Sequence, residues 1–315
     1  MLNRRHLRIK VLQTLYSFSQ NEDMDFVQAK KELFKAVDQM YDLYLSLLLT
    51  FSELKAKGEH RIEENKKKLL PKDEDLNPNR KFVDNAIISL LEEQPELRHQ
   101  AEQRKVNWLG AEEQEMFRKM YNSIRKSETY FEFMENGEQG FEEDKTFIVQ
   151  LFKNDIANFP LLYDYYEEKS IYWMDDIDLA CSMVIKTIKS FKEDGENQIL
   201  PLYKPNDDEK EFIENLLKET IKKEKENLPI IDKLTKNWEL DRIAKMDVLL
   251  MEMAITELQV FPSIPTKVTL NEYIEISKFY STPKSNVFIN GVLDKAISKL
   301  EKEGKIKKIG RGLMK

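Results

Sequence analysis

Residues 238–258 read WELDRIAKMDVLLMEMAITEL, and their spacing decides the fold class. Ile243, Met246, Leu250, Met253, Ala254 and Leu258 recur mostly at three- and four-residue steps, so a 3.6-residue turn gathers them on one side of a helix. A strand would need alternation with period two, which is absent. The stripe is the most regular in the chain, and Pro262 and Pro265 end it.

The same period extends in both directions. Downstream, Thr269 and Glu272 fit a capping box for a helix reaching about Tyr280. Pro283 breaks that helix, and Ser285 can cap a last one running to about Leu300. Upstream, Phe212, Leu216, Leu217 and Ile221 form a helix, and Pro229 opens a short one through Leu234. Gly195 to Pro205 reads as a linker. Before it, helical patterns cover Asp176–Phe191, Asp144–Phe159, Ala111–Asn136 and Phe82–Leu91. A long pattern from Asp25 towards Leu69 carries Leu33, Val37, Met40, Tyr44, Leu47, Phe51 and Leu54, with Pro71 as its stop and Gly58 a candidate earlier break. The first helix runs from Asn3 to Ser19 on Leu7, Val11, Leu15 and Phe18. No strand series occurs, and only 9 of 315 residues are glycine, so the expected fold class is all-α.

The formal charge of −7 argues against a polyanion as partner, but its distribution reverses that reading. Residues 1–21 carry +4 through Arg4, Arg5, Arg8 and Lys10, and residues 299–315 carry +5, which leaves −16 for the rest. A lone Cys181 excludes an intramolecular disulfide and fits a reducing compartment. The first residues lack the apolar core of a signal peptide, and no stretch approaches the roughly 20 apolar residues of a membrane span. A cytoplasmic protein with no membrane partner is the expectation.

Catalysis has no visible seat. There is no glycine-rich phosphate loop, and His6, His60 and His99 stand in unrelated contexts. Asp175, Asp176 and Asp178 have the spacing of helix-start partners rather than of a metal site. No enzyme activity, cofactor or metal is expected. The basic first helix is more informative. Arg4 and Arg8 are one turn apart with Arg5 beside them, and cations at a helix start oppose its dipole by about 0.3–1 kcal/mol each. A bound phosphate would relieve that cost, whereas a solvated surface would merely tolerate it. In the last helix, Gly291 costs roughly 1 kcal/mol relative to Ala, for which close helix packing is the usual reason. Phe288, in the first turn, can pack on a neighbouring helix or stack on an unpaired base. The basic tail reads as solvated, adding diffuse attraction to a polyanion.

Three segments carry a resemblance. NRRHLRIKVLQTLYSF at the start is similar to the arginine-rich first helix of the NusB family. IPTKVTLNEYIEISKFY (Ile264–Tyr280), followed by FINGVLDK (Phe288–Lys295), resembles that family's signature, and Trp238–Leu258 its preceding helix. The resemblance covers about residues 1–20 and 208–300. It implies two small helical bundles and an RNA-binding antitermination factor. Such a factor takes boxA-type ribosomal RNA leader sequence together with NusE, a small-subunit ribosomal protein, within the RNA polymerase antitermination complex. It places RNA contacts at Arg4, Arg5, Arg8 and Gln13, and at Ser285, Phe288 and Asn290, with Asp247 facing NusE. Departures are Glu252 and Thr256, where the family carries Arg and Tyr, and a basic loop with Lys284.

The domain expectation follows: family-like N-terminal helices over 1–60, a helical insertion over 61–205, a C-terminal bundle over 206–300 and the basic tail 301–315. The alternative function is a helical protein-interaction adaptor that binds RNA weakly or not at all, since an acidic insertion repels RNA. An RNA methyltransferase, a class in which NusB-like domains also occur, is not expected, because residues 1–315 show no glycine-rich cofactor loop and the family-like elements sit at both ends.

Overall fold

The computed structural model describes residues 4–203, 208–235 and 242–313, so Asn3, Pro205 and Trp238, named above, lie outside the described residues. Fourteen α-helices and no strand occur among the described residues. The chain divides into two compact units, one of residues up to 37 with those from 203 on, the other of residues 38–202.

The first unit holds α1 (Arg4–Gln20), the opening turns of α2 (Phe26–Lys66), α11 (Glu209–Leu234), α12 (Lys245–Val260), α13 (Thr266–Tyr280) and α14 (Ser285–Lys302). Helix α2 opens on a reciprocal capping box. Asp25 Oδ1 accepts from the Gln28 N–H at 2.8 Å, and Gln28 Oε1 accepts from the Asp25 N–H at 2.9 Å. Helix α12 is the axis of the unit: every residue from Asp247 to Leu258 is buried, and α1, α11, α13 and α14 pack around it. The apolar stripe is thus one side of a helix enclosed on all sides, where each buried Leu or Met contributes about 1.5–3 kcal/mol.

Three sequence expectations change here. Pro229 does not open a new helix but lies inside α11. The carbonyl it deprives of a partner belongs to Lys225, an exposed residue where water can serve instead. Helix α13 starts at Thr266 without a capping box, because Thr269 and Glu272 are engaged elsewhere. The basic tail keeps most of its lysines exposed, as expected, but it is anchored near its end. The Ile309 N–H donates to the Pro262 carbonyl at 3.0 Å and Lys308 Nζ to that of Phe261 at 3.0 Å. A Cβ at Gly312 would stand 1.9 Å from the Pro262 oxygen, so only glycine fits there.

The second unit takes the rest of α2, followed by α3 (Asp73–Leu76), α4 (Ala86–Glu93), α5 (Pro95–Arg104), α6 (Ala111–Ile124), α7 (Glu128–Glu135), α8 (Phe141–Leu151), α9 (Pro160–Lys169) and α10 (Ile177–Ser190). Helix α2 passes through Gly58 without a break. The single helix expected over 111–136 is two, because the Ser127 hydroxyl caps α7 by accepting from the Tyr130 N–H at 3.3 Å. A π-helical turn, Phe152–Ile156, prolongs α8. The core is aromatic: Phe133 stacks on Phe147 with ring centres 3.7 Å apart, and Trp108 meets Phe117 edge-on at 5.0 Å. Buried polar tips find backbone partners, as where Trp108 Nε1 donates to the Ser46 carbonyl at 3.0 Å.

No described helix is long and apolar enough to cross a membrane. No group of His, Cys, Asp and Glu among the described residues could hold a metal ion. Asp176 sits at the N-cap of α10.

Candidate nucleic-acid interface

The first helix sorts its arginines by direction. Arg8 is 1 % exposed. Its Nε and Nη2 donate to the two carboxylate oxygens of Glu257 at 2.7 and 2.6 Å. The same carboxylate accepts from Thr269 Oγ1 at 2.9 Å and from the Tyr273 hydroxyl at 3.1 Å. The guanidinium also lies 5.2 Å from the centre of the Phe212 ring. One buried group thereby joins α1, α11, α12 and α13. Burial alone would lower the pKa of Arg8, but the charge and hydrogen bonds of Glu257 outweigh it and raise the value further. Arg8 therefore does not stand where an RNA phosphate could reach it. The expectation is corrected: this arginine belongs to the core.

Arg5 faces outward. Its Nε and Nη2 pair with Glu272 of α13, both at 2.9 Å, and its side chain is 39 % exposed. The pair holds its pKa up, chiefly through the hydrogen bonds to Glu272. Arg4 pairs with Asp208 and lies over the Phe212 ring at 5.0 Å. Two turns further on, Gln13 Nε2 donates to the Tyr280 hydroxyl at 3.5 Å. Arg5–Glu272 and Gln13–Tyr280 have the same sequence separation, so α1 and α13 run side by side in the same direction. Between Arg5 and Gln13 lie about 12 Å of helix. His6, beside Arg5, is held neutral: burial first, then the charges of Arg5 and Lys10, lower its pKa to about 4.

Beyond Tyr280 the chain turns into α14 around a cleft of about 320 Å³. Asp247, Ser285 and Phe288 line it, together with Arg242, Thr282 and Lys284. Asp247, in the first turn of α12, is 5 % exposed and accepts from Ser285 Oγ at 2.7 Å and from Ser281 Oγ. It fixes the turn between α13 and α14 from the cleft floor. Ser285 is not a helix cap: its hydroxyl is spent on Asp247, and Lys284 occupies the N-cap. Phe288 is half-buried on the wall. Asn290, also half-buried, does not line the cleft, since two positions along a helix point to different sides.

Gly291 was expected to serve close packing, yet a Cβ there would meet nothing within 4 Å, and the residue is exposed. It leaves bare helix backbone one turn after Phe288. Glu252 and Thr256, the two departures on α12, point inward. Thr256 accepts from Asn227 Nδ2 at 2.9 Å. Glu252 is 4 % exposed with Oε1 unpartnered, and burial, aided by Glu224 and opposed by Lys245, pushes its carboxyl up to about 8. Reading the sequence did not single out Arg242. Its only signal is its place just before the apolar stripe of α12.

Fold and site define a class: an all-α domain whose first helix runs along α13 towards a cleft lined by Phe288, Arg242 and Lys284. Within the chain, residues 178–298 match the NusB family. That match starts inside α10, earlier than the resemblance at 208. "Transcription antitermination protein NusB" of Salinibacter ruber is 47 % identical over 105 residues, 33 % of this chain and 66 % of the relative. The protein of that name from Chloroherpeton thalassium is 41 % identical, covering 33 % and 50 %, and that from Natranaerobius thermophilus is 36 % identical, covering 29 % and 66 %. The aligned part thus spans half to just under two thirds of these relatives. No solved structure matches the chain. The segment 178–298 is thus similar to the NusB family.

Proposed function

We propose that this protein is an RNA-binding transcription antitermination factor. It takes boxA-type ribosomal RNA leader sequence together with NusE and supports processive transcription within the RNA polymerase antitermination complex. The observation that carries this reading is the cleft at the head of α14, where Phe288 stands beside Arg242 and Lys284 inside the family-matched segment. An unstacked base can lie on the Phe288 ring while neighbouring phosphates meet the cations, a mode suited to single-stranded RNA. Bare backbone at Gly291 admits a strand close to the helix. The names of the relatives support the cellular role.

On α1 the RNA must compete. Arg5 already holds Glu272 in a two-pronged pair, so a phosphate has to displace that carboxylate. Binding should be measured with a boxA-type oligonucleotide at two salt concentrations, with and without NusE. About five neutralised phosphates give a slope of log affinity against log salt near about −3.5. Phe288→Ala should cost about 1–3 kcal/mol of binding. Arg5→Ala should weaken it, and Glu272→Gln should strengthen it several-fold by freeing the fork. Affinity unmoved by all three substitutions would sink the reading. The adaptor alternative draws on the acidity of residues 38–202, and RNA-independent capture of other proteins through residues 60–200 would favour it.

A further inference from the structure

In the second unit, the last turns of α2, the segment before α4, the end of α6 and helix α7 enclose a cleft of about 420 Å³. Gly58 shapes its floor: a Cβ there would stand 2.7 Å from Val83 Cγ1 and 3.2 Å from the Tyr121 hydroxyl. Glycine lets α2 close down over that hydroxyl, which lies beside the hydroxyl of Tyr130. Arg61 from α2 and Arg125 from the end of α6 flank this pair of phenols.

Those two arginines differ from most others in the unit. Arg80, Arg104 and Arg118 each hold a carboxylate, at 2.8, 3.0 and 2.6 Å. Arg61 and Arg125 hold none within 4.0 Å among the described residues, in a unit of 34 acidic and 22 basic residues. The acids on the cleft wall are mostly committed. Asp75 accepts from Lys68 Nζ at 2.7 Å and from the Lys72 N–H at 3.0 Å, and Glu74 lies 3.5 Å from Lys72 Nζ. Glu135 is exposed at the rim. Burial pushes the Tyr130 phenol up, and the two guanidinium groups oppose that rise without reversing it, so the phenol stays a neutral donor. Phe131, 65 % exposed on α7, offers a ring face at the mouth.

We propose that this cleft binds a small phosphomonoester carrying a flat ring, of the nucleoside monophosphate kind. Arg61 and Arg125 clamp the phosphate, one hydroxyl of the hydrogen-bonded Tyr121–Tyr130 pair donates to it, and the ring lies against Phe131. Free guanidinium forks match phosphate oxygens in geometry and charge. The volume suits a ligand of this size, since such pockets run from about 300 to 1,000 Å³. The proposal is independent of the RNA reading, because no residue of the family-matched segment takes part.

The test uses the full chain, by calorimetric titration and thermal unfolding, with AMP, GMP, CMP, UMP, inorganic phosphate and adenosine as probes. At least one monophosphate is expected to bind below millimolar and to raise the melting temperature, with adenosine inert. Arg61→Gln with Arg125→Gln should weaken binding at least tenfold while leaving ligand-free melting unchanged. Should that variant melt early, Arg61→Lys with Arg125→Lys keeps the charge and should weaken binding less than tenfold. Phe131→Ala should weaken the nucleotide and spare inorganic phosphate. The proposal is overturned if no monophosphate binds at 1 mM, or if the arginine variants bind as the parent does. Inorganic phosphate binding as tightly as every nucleotide would overturn the ring's role.

Discussion

The two units use charge in opposite ways. Residues 38–202 hold 22 basic and 34 acidic side chains, a balance of −12, whereas the remainder balances to +5. The acidic unit builds its interior from aromatic rings and keeps its ion pairs at the surface or half-buried: Arg80–Asp84 and Arg118–Glu115 are substantially exposed, and Arg104–Asp42 is half-buried. The basic unit places an arginine and a glutamate at its centre. Charge inside a fold is tolerated only where every polar atom finds a partner, and Glu257 meets that condition by accepting four hydrogen bonds. Net charge therefore says little about where charge does structural work.

Removing one half of the buried pair is the strongest way to break this contrast. Glu257→Ala takes both hydrogen-bonded oxygens from the buried Arg8 guanidinium, leaves it the Glu272 carboxylate at 3.9 Å, and should cost about 3–5 kcal/mol. Adding Arg8→Met should recover most of that loss. Hydrogen exchange on α12 amides reads this unit apart from the other, and a loss below about 1 kcal/mol would show the pair to be dispensable.

Glu252 sharpens the comparison, as a buried acid of the same unit with an unpartnered oxygen. Its carboxyl titrates at about 8 in the fold against the ordinary 4.5, so the folded state binds the proton more tightly. Stability from this group is full below pH 4.5 and is lost as pH rises through 8. Glu252→Gln should gain about 1–3 kcal/mol at pH 8.5 and nothing at pH 4. Equal gains at both pH values would assign the effect to packing. The smallest effect belongs to the acidic unit: Arg80→Gln should shift its unfolding by less than about 0.5 kcal/mol. A larger loss would place structural weight on its outer ion pairs.

Helical periodicity in the sequence foretold most of the helices, because burial of one side imposes a spacing wherever a helix is amphipathic. Three helices escaped it, the first being the single turn α3, too short to show a period. Helices α5 and α9 begin with Pro95 and Pro160 at their first positions, a start signal that a search for apolar stripes passes over. Continuous apolar spacing likewise hid the break before α7, which only the Ser127 cap marks.

At the site, Phe288 was legible through the motif around it, and the structure brings Ser285 and Asp247 beside it. The burial of Arg8 was not, since its partner lies 249 residues away. One local sign existed: Arg8 precedes Val11, Leu12 and Leu15 by three, four and seven residues, which places it on the buried stripe. The direction of Asp247 depends on the serine hydroxyls of a turn whose path the sequence does not reveal.

The Arg8–Glu257 pair also sets an order of events on the ribosome. Synthesis proceeds at about 5–20 residues per second, so α1 emerges roughly 12–50 seconds before the glutamate that will neutralise it. The acidic unit, contiguous in the chain, is complete before then. Through that interval the nascent first helix carries an apolar stripe and four cations with no fold to join.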